Sequence, residues 1–84
     1  MAEESLNPNN LKNSEGINWE AISTQVRRTE YHKLEEELII EFKSGAKYKY
    51  FKFKPEAYIK LAATQSIGKF INSDIKGKYE YVKL

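Results

Sequence analysis

The stretch from Leu38 to Pro55, LIIEFKSGAKYKYFKFKP, constrains this chain most. Leu38, Ile40 and Phe42 alternate with Ile39, Glu41 and Lys43, and Tyr48 and Tyr50 alternate with Lys47, Lys49 and Phe51. A period of two in β-branched and aromatic residues marks strands, because successive side chains point to opposite faces. Gly45 supplies the turn, since glycine takes a positive φ without steric cost. Loop length then sets register, and register sets the face of every side chain. A two-residue loop at Ser44-Gly45 pairs Phe42 with Lys47 and Ile40 with Lys49, which mixes lysines with aliphatics. A three-residue loop, Lys43-Ser44-Gly45, pairs Phe42 with Ala46, Ile40 with Tyr48 and Leu38 with Tyr50. It leaves Glu41 opposite Lys47 and Ile39 opposite Lys49 on the other face. This register gives one wholly apolar face and an opposite-charge pair of about 0.2–1 kcal/mol. Loops of this kind, with a left-handed glycine, are common, and this is the register expected.

The flanks follow from the same rules. Residues 1–16 are polar, asparagine-rich and interrupted by Pro8 and Gly16. They hold too few apolar groups to offset the entropy of ordering, so a flexible tail is expected ahead of one domain over residues 17–84. Asn18 is placed to cap a short helix over Trp19 to Ile22, with Trp19, the one tryptophan, as a flap over an open edge of the core. Gln25 to Tyr31 reads as the first strand. Val26 and Tyr31 are an odd number of residues apart, so either one faces outward or a bulge lies between them. His32 to Glu36 reads as a charged loop.

Pro55 suits the first turn of a helix, where its missing N–H is no loss, and Glu56 suits the positive end of the helix dipole. Ala57, Tyr58, Leu61 and Ala62 form an apolar stripe, with Ala62 and Ala63 small enough for close approach. Ser66 caps a second helix. Ile67, Phe70, Ile71 and Ile75 lie on one of its faces, and Lys69, Asn72, Ser73 and Lys76 on the other. Gly77 ends it in the left-handed conformation. Asp74 falls near the apolar stripe and is expected at its margin, paired with a lysine or a tyrosine hydroxyl. Tyr79, Tyr81 and Val82 leave room for a short terminal strand. The expected fold is therefore α+β, a three-stranded antiparallel meander against two C-terminal helices, with or without that last strand.

Composition narrows the function by exclusion. Eighty-four residues at 40% hydrophobic content make one small domain, of a size that buries only about 60% of its unfolded surface. The absence of cysteine excludes disulfides, thiolate metal sites and a cysteine nucleophile, and it suits a reducing cytosol. No apolar run approaches the ~18 residues of a membrane span, and MAEESLNPNN has neither the basic start nor the apolar core of a secretory signal. A cytoplasmic location is expected. His32 reads as a lone surface histidine, Ser66 as a cap without a base, and Glu35-Glu36-Glu37 as solvated charge. Gly68-Lys69 lacks the glycine-rich approach of a phosphate loop, and no metal-ligand cluster is present. A protein without catalysis or cofactor is the expectation.

Charge is unevenly distributed. Residues 1–42 hold nine carboxylates against four bases, a balance of −5, whereas residues 43–84 hold ten lysines against Glu56, Asp74 and Glu80, a balance of +7. A basic, aromatic-rich half suits a phosphate-bearing partner.

The ordered set Phe42-x-x-Gly45-x-x-Tyr48-x-Tyr50-Phe51, Pro55-Glu56-x-Tyr58, Ser66-x-Gly68-x-Phe70-x-Asn72-x-x-Ile75 and Gly77-x-Tyr79 resembles the KTSC domain, from about Ser23 to Leu84. That family takes its name from the C-terminal domain of some lysyl-tRNA synthetases and also occurs as small stand-alone proteins in bacteria and phages. The resemblance implies RNA as a partner by way of the synthetase association. The first strand departs from the pattern. Thr29 and Glu30 stand where an aliphatic and a glycine are usual, and His32 stands where an aspartate is common.

Single-stranded RNA is held by lysines along its backbone and by aromatic faces under its bases. The outer hairpin face offers Lys47, Lys49 and Phe51, and the polar face of the second helix offers Lys69, Asn72 and Lys76. These six are the candidate nucleic-acid contacts. Tyr48 and Tyr50 are expected in the core. The rival expectation is a protein-contact module, for example a phage protein on a host component, docking through an apolar patch around Ile39 and Phe51.

Overall fold

A computed structural model describes residues 13–84, so the expected tail lies outside the described residues as far as residue 12, while Ser14 to Gly16, expected in that tail, are strand residues paired with β2. Five strands form one antiparallel sheet in the order β1-β2-β3-β4-β5. They are β1 (Ser14–Asn18), β2 (Val26–His32), β3 (Glu37–Phe42), β4 (Lys47–Tyr50) and β5 (Tyr81–Lys83). Two helices lie between β4 and β5. They are α1 (Pro55–Ala62) and α2 (Ile67–Phe70), the latter continuing as a π-helical turn over Ile71–Ile75. The expected three-stranded meander is thus the middle of a five-stranded one, with β1 added on one edge and β5 returning to the other.

The hairpin has the three-residue loop. Leu38 pairs with Tyr50, Ile39 with Lys49, Ile40 with Tyr48 and Glu41 with Lys47. Gly45 has φ +98°, and its N–H donates to the Phe42 carbonyl at 2.9 Å while the Phe42 N–H donates to the Ala46 carbonyl at 2.9 Å. Leu38, Ile40 and Tyr50 are buried beneath the helices together with Phe53, Tyr58, Leu61, Ile67, Ile71 and Ile75. Each fully buried Leu, Ile or Phe contributes about 1.5–3 kcal/mol, which fixes the register against a slip that would send all of them to water.

In β2 the register shifts between Val26 and Arg28. This bulge lets Val26 and Tyr31 both face the core, where both are buried. His32 is the last residue of β2 rather than the start of a loop, because its pairing with Glu37 extends the ladder by one step.

No helix forms over Trp19 to Ile22. Four residues are too few to offset the cost of helix nucleation. The segment is instead a tight turn, in which the Ile22 and Ser23 N–H groups donate to the Trp19 carbonyl at 3.0 and 2.8 Å. Asn18 Oδ1 still accepts from the Glu20 N–H at 2.8 Å. Trp19 is buried and completes the core.

In α1 the contact to the sheet is made by Tyr58 and Leu61, with Ala57 half-buried. Ala62 and Ala63, expected to pack closely, are exposed. The helix has only eight residues, and two buried side chains with Ala57 exhaust its inward face. In the second helix Ser66 caps as expected, its hydroxyl accepting from the Lys69 N–H at 3.3 Å. Gly77, at φ +76°, ends the segment. The expected place of Asp74 is corrected. It is exposed and accepts from the Ser73 hydroxyl, with no lysine or tyrosine partner among the described residues. The π turn gives the reason. Its wider i→i+5 bonding, seen in the Lys76 N–H to the Ile71 carbonyl at 2.9 Å, turns Asp74 further from Ile71 than an α-helix would and keeps residues four apart on one side. Ile67, Ile71 and Ile75 therefore share the buried face and Asp74 rotates off it.

Candidate functional site

The sheet register assigns every strand residue to a face. Outward rows run Glu30-Ile39-Lys49-Val82 and Arg28-Glu41-Lys47. None of these side chains is fully buried, and among the described residues no helix covers them. Lys49 lies 3.5 Å from Glu37 and Arg27 lies 4.0 Å from Glu41. Lys47 is exposed and makes no ion pair among the described residues. Phe51, expected fully outward, is half-buried, and its N–H donates to the Glu80 carbonyl at 2.9 Å.

The six candidate contacts occupy three separate places. Lys47, Lys49 and Phe51 belong to the outward sheet face. Lys69 and Asn72 line a shallow polar hollow with Ser23, Gln25 and Ser66. Lys76 lines a cleft on the helical side of β4 and β5.

That cleft is the feature the sequence reading missed. It has a volume of about 490 Å³ and is lined by Phe42, Tyr48, Tyr50, Tyr81 and Lys76, with Gly77 at the helix end. β5 creates it by pairing Tyr81 with Tyr50 and Lys83 with Tyr48, which puts all four side chains on one face. Tyr81 meets Tyr48 and Tyr50 at ring-centroid distances of 5.7 Å each, at 62° and 39°, and Phe42 meets Tyr48 edge-on at 6.0 Å. None of the described lining residues is a carboxylate. Burial raises the Tyr50 hydroxyl above the ordinary tyrosine range, and Tyr48 and Tyr81 beside it add to the shift. The signal that marks Tyr81 and Lys83 in the sequence is the alternation Tyr79-x-Tyr81-x-Lys83 after Gly77, the same period of two as in the hairpin.

A second cleft of about 510 Å³ lies between β2 and α1, lined by Glu15, Tyr31, Lys33, Tyr58, Ile59 and Ala62. Here Tyr31 stacks on Tyr58 at 4.4 Å and 10°, and its hydroxyl donates to the Phe53 carbonyl at 2.8 Å.

The departures in β2 each have a local partner. Thr29 is fully buried, and its hydroxyl accepts from the Trp19 indole N–H at 2.9 Å. Glu30 and His32 share the outward face two residues apart, with Oε2 and Nε2 at 2.8 Å, an ion pair when the imidazole is protonated.

The described residues contain no group of three or more metal-ligating side chains, and none of their helices is long and apolar enough to cross a membrane.

With this geometry in hand, likeness to known proteins can be placed on it. The KTSC domain model matches residues 22–79, the segment from the end of the Trp19 turn to just short of β5. A protein of Tsukamurella paurometabola is 32% identical over 62 residues, covering 74% of this chain and 92% of its own length. The lysine–tRNA ligase of Nostoc punctiforme is 36% identical over 59 residues, covering 70% of this chain but only 10% of the ligase. The crystal structure of a KTSC domain protein from Yersinia pestis superposes with a TM-score of 0.76 at 22% identity, over 84% of this chain and 97% of that one. The chain belongs to the KTSC domain family.

Proposed function

We propose that this protein is a non-catalytic binding module for single-stranded RNA. The observation that carries the reading is the state of its lysines. Lys47, Lys69 and Lys76 are exposed and form no ion pair among the described residues, while the carboxylates of β3 are turned to other cations, Glu37 to Lys49 and Glu41 to Arg27. Uncompensated lysines can neutralise backbone phosphates and release the counterions condensed on them. The match to a segment of a lysine–tRNA ligase supports the same partner class.

The test is binding of a labelled single-stranded oligoribonucleotide between about 50 and 200 mM salt. Affinity is expected to fall steeply with salt, and replacing Lys47, Lys69 and Lys76 by alanine is expected to flatten that slope. No binding at the lowest salt, or a slope unchanged by the triple substitution, removes the reading.

A specific observation favours a second reading, docking on another protein. Val82 and Leu84 are exposed, and Val82 shares the uncovered outward face with Ile39. A partner held there would co-purify through nuclease treatment and be lost with Phe51→Ala or Val82→Asp.

A further inference from the structure

We propose that the tyrosine cleft between β4, β5 and the π turn is a receiving slot for one unpaired nucleobase, held on Tyr81, with its phosphate met by Lys76 and Lys83. The inference rests on the RNA reading above and gives it a defined site.

Four observations carry it. The volume, about 490 Å³, lies within the ~300–1,000 Å³ of small-molecule sites. Its walls are π-faces, and Tyr81 leaves 57% of its surface exposed despite its contacts with two neighbouring rings. An aromatic ring with a free face at a cleft mouth costs apolar exposure unless something stacks on it.

Charge is one-sided. Lys76 lines the cleft, Lys83 lies directly across the strand pair from Tyr48 on the same face, and no carboxylate is among the described lining residues. An anion is favoured here and a cationic or zwitterionic peptide is not.

The fourth observation is Tyr50. Its residue is only 6% exposed, yet its hydroxyl has no hydrogen-bond partner among the described residues, and it is not among the buried polar atoms lacking one. The ring is therefore packed while the hydroxyl reaches the cleft. A fixed phenol O–H at the floor of an aromatic slot is a donor or acceptor for a base edge. By contrast the buried Tyr31 hydroxyl is occupied by the Phe53 carbonyl.

The three roles are separable. Stacking on Tyr81 supplies affinity that any base can use. The Tyr50 hydroxyl supplies discrimination between bases. The two lysines supply the salt-dependent part.

The experiment uses the full chain with labelled single-stranded oligoadenylate and oligouridylate of eight nucleotides, and anisotropy titrations at several salt concentrations. Tyr81→Ala is expected to weaken binding roughly ten-fold or more and to leave the salt slope unchanged. Tyr81→Phe is expected to restore wild-type affinity. Tyr50→Phe is expected to keep affinity for the better ligand within about two-fold and to narrow the ratio between the two homopolymers. Lys76→Gln with Lys83→Gln is expected to flatten the salt slope. Tyr81 is exposed, so its variants are checked against the wild-type melting curve and keep it. If RNA binds in a lysine-dependent way but Tyr81→Ala has wild-type affinity, the slot is wrong and the RNA reading stands. If wild-type protein binds neither homopolymer at low salt, the RNA reading and the slot both fall.

Discussion

The two clefts, about 490 and 510 Å³, differ in what their tyrosines are doing. In the β2–α1 cleft Tyr31 is committed to the fold. It lies parallel to Tyr58 at 4.4 Å, meets Phe53 edge-on at 6.0 Å and gives its proton to the Phe53 carbonyl. In the β4–β5 cleft the rings of Tyr48, Tyr50 and Tyr81 are tilted against one another, and none of their hydroxyls is bonded within the described chain. Glu15 and Lys33 both line the first cleft, whereas the second has Lys76 and no carboxylate among its described lining residues. Satisfied aromatics hold a protein together. Aromatics left with open faces and open hydroxyls are available to a ligand.

The largest expected effect breaks the comparison if it fails. Tyr31→Ala removes a buried, stacked ring and is expected to cost about 3–5 kcal/mol in denaturant unfolding. Tyr81→Ala removes an exposed ring and is expected to stay within about 0.5 kcal/mol of wild type. Equal losses would mean that the β4–β5 tyrosines are structural after all.

A smaller effect tests the buried polar pair beside the first cleft. Thr29→Val keeps shape but leaves the Trp19 indole N–H without its acceptor. Unfolding free energy is expected to fall by about 1–3 kcal/mol. A neutral result would show that the indole finds water, and that Trp19 is not sealed under the sheet edge.

Smaller again is the hydroxyl contrast. Tyr31→Phe forfeits one hydrogen bond to a carbonyl and is expected to lose about 0.5–1.5 kcal/mol. Tyr50→Phe forfeits none within the described chain and is expected to be neutral in stability. A cost at Tyr50 matching that at Tyr31 would assign its hydroxyl to the fold and remove it from the slot.

How far this difference could be read in the sequence depends on distance along the chain. The hairpin register was legible because the aliphatic period, the aromatic period and Gly45 all agree within one short stretch. The bulge in β2 was legible only as one of two alternatives, because Val26 and Tyr31 lie an odd number of residues apart and one could instead have faced outward. β1 was not. SEGIN carries a single aliphatic, Ile17, and the strand is fixed instead by ladder bonds to β2 and by Asn13. The Asn13 carbonyl accepts from the Lys33 N–H at 2.8 Å, and its side-chain oxygen from the Leu34 N–H at 2.6 Å. Backbone pairing of that kind leaves no side-chain pattern. The π turn was equally hidden, since Ile67, Ile71 and Ile75 at spacings of four suit an α-helix nearly as well.

Of the two lysines at the cleft, Lys76 is named from the sequence and Lys83 is not. The cleft was not legible there, because it exists only once β5 returns from the helices to lie beside β4. Tyr48 and Tyr50 read correctly as inward residues. What local reasoning lacks is that the layer above them stops short at Lys76 and Gly77 and leaves their far ends uncovered.

Alkaline pH sharpens the comparison in its last respect, the source of the field on each tyrosine. Burial raises Tyr31, Tyr58 and Tyr50 above the ordinary tyrosine range. In the first cleft carboxylates add to this, Glu36 and Glu56 on Tyr31 and Glu15 on Tyr58. In the second the added contribution comes from the other tyrosines, Tyr48 and Tyr81. A raised pKa means the unfolded chain releases its proton first. Stability from these groups is full below about pH 10, where the unfolded phenol begins to ionise, and is lost as pH rises through the folded value. Unfolding free energy is therefore expected to fall above pH 10. The fall should be shallower in Tyr31→Phe, which removes one titrating group, and shallower in Tyr50→Phe for the same reason. Added salt should reduce the slope contributed by Tyr31, whose field comes partly from Glu36 and Glu56 across solvent. No carboxylate contributes at Tyr50, so the two phenylalanine variants separate the two sources of the field. Denaturant melts at pH 9, 10 and 11, at low and high salt, measure both. Identical salt responses in the two phenylalanine variants would show that the two clefts share one electrostatic environment and that only ring packing distinguishes them.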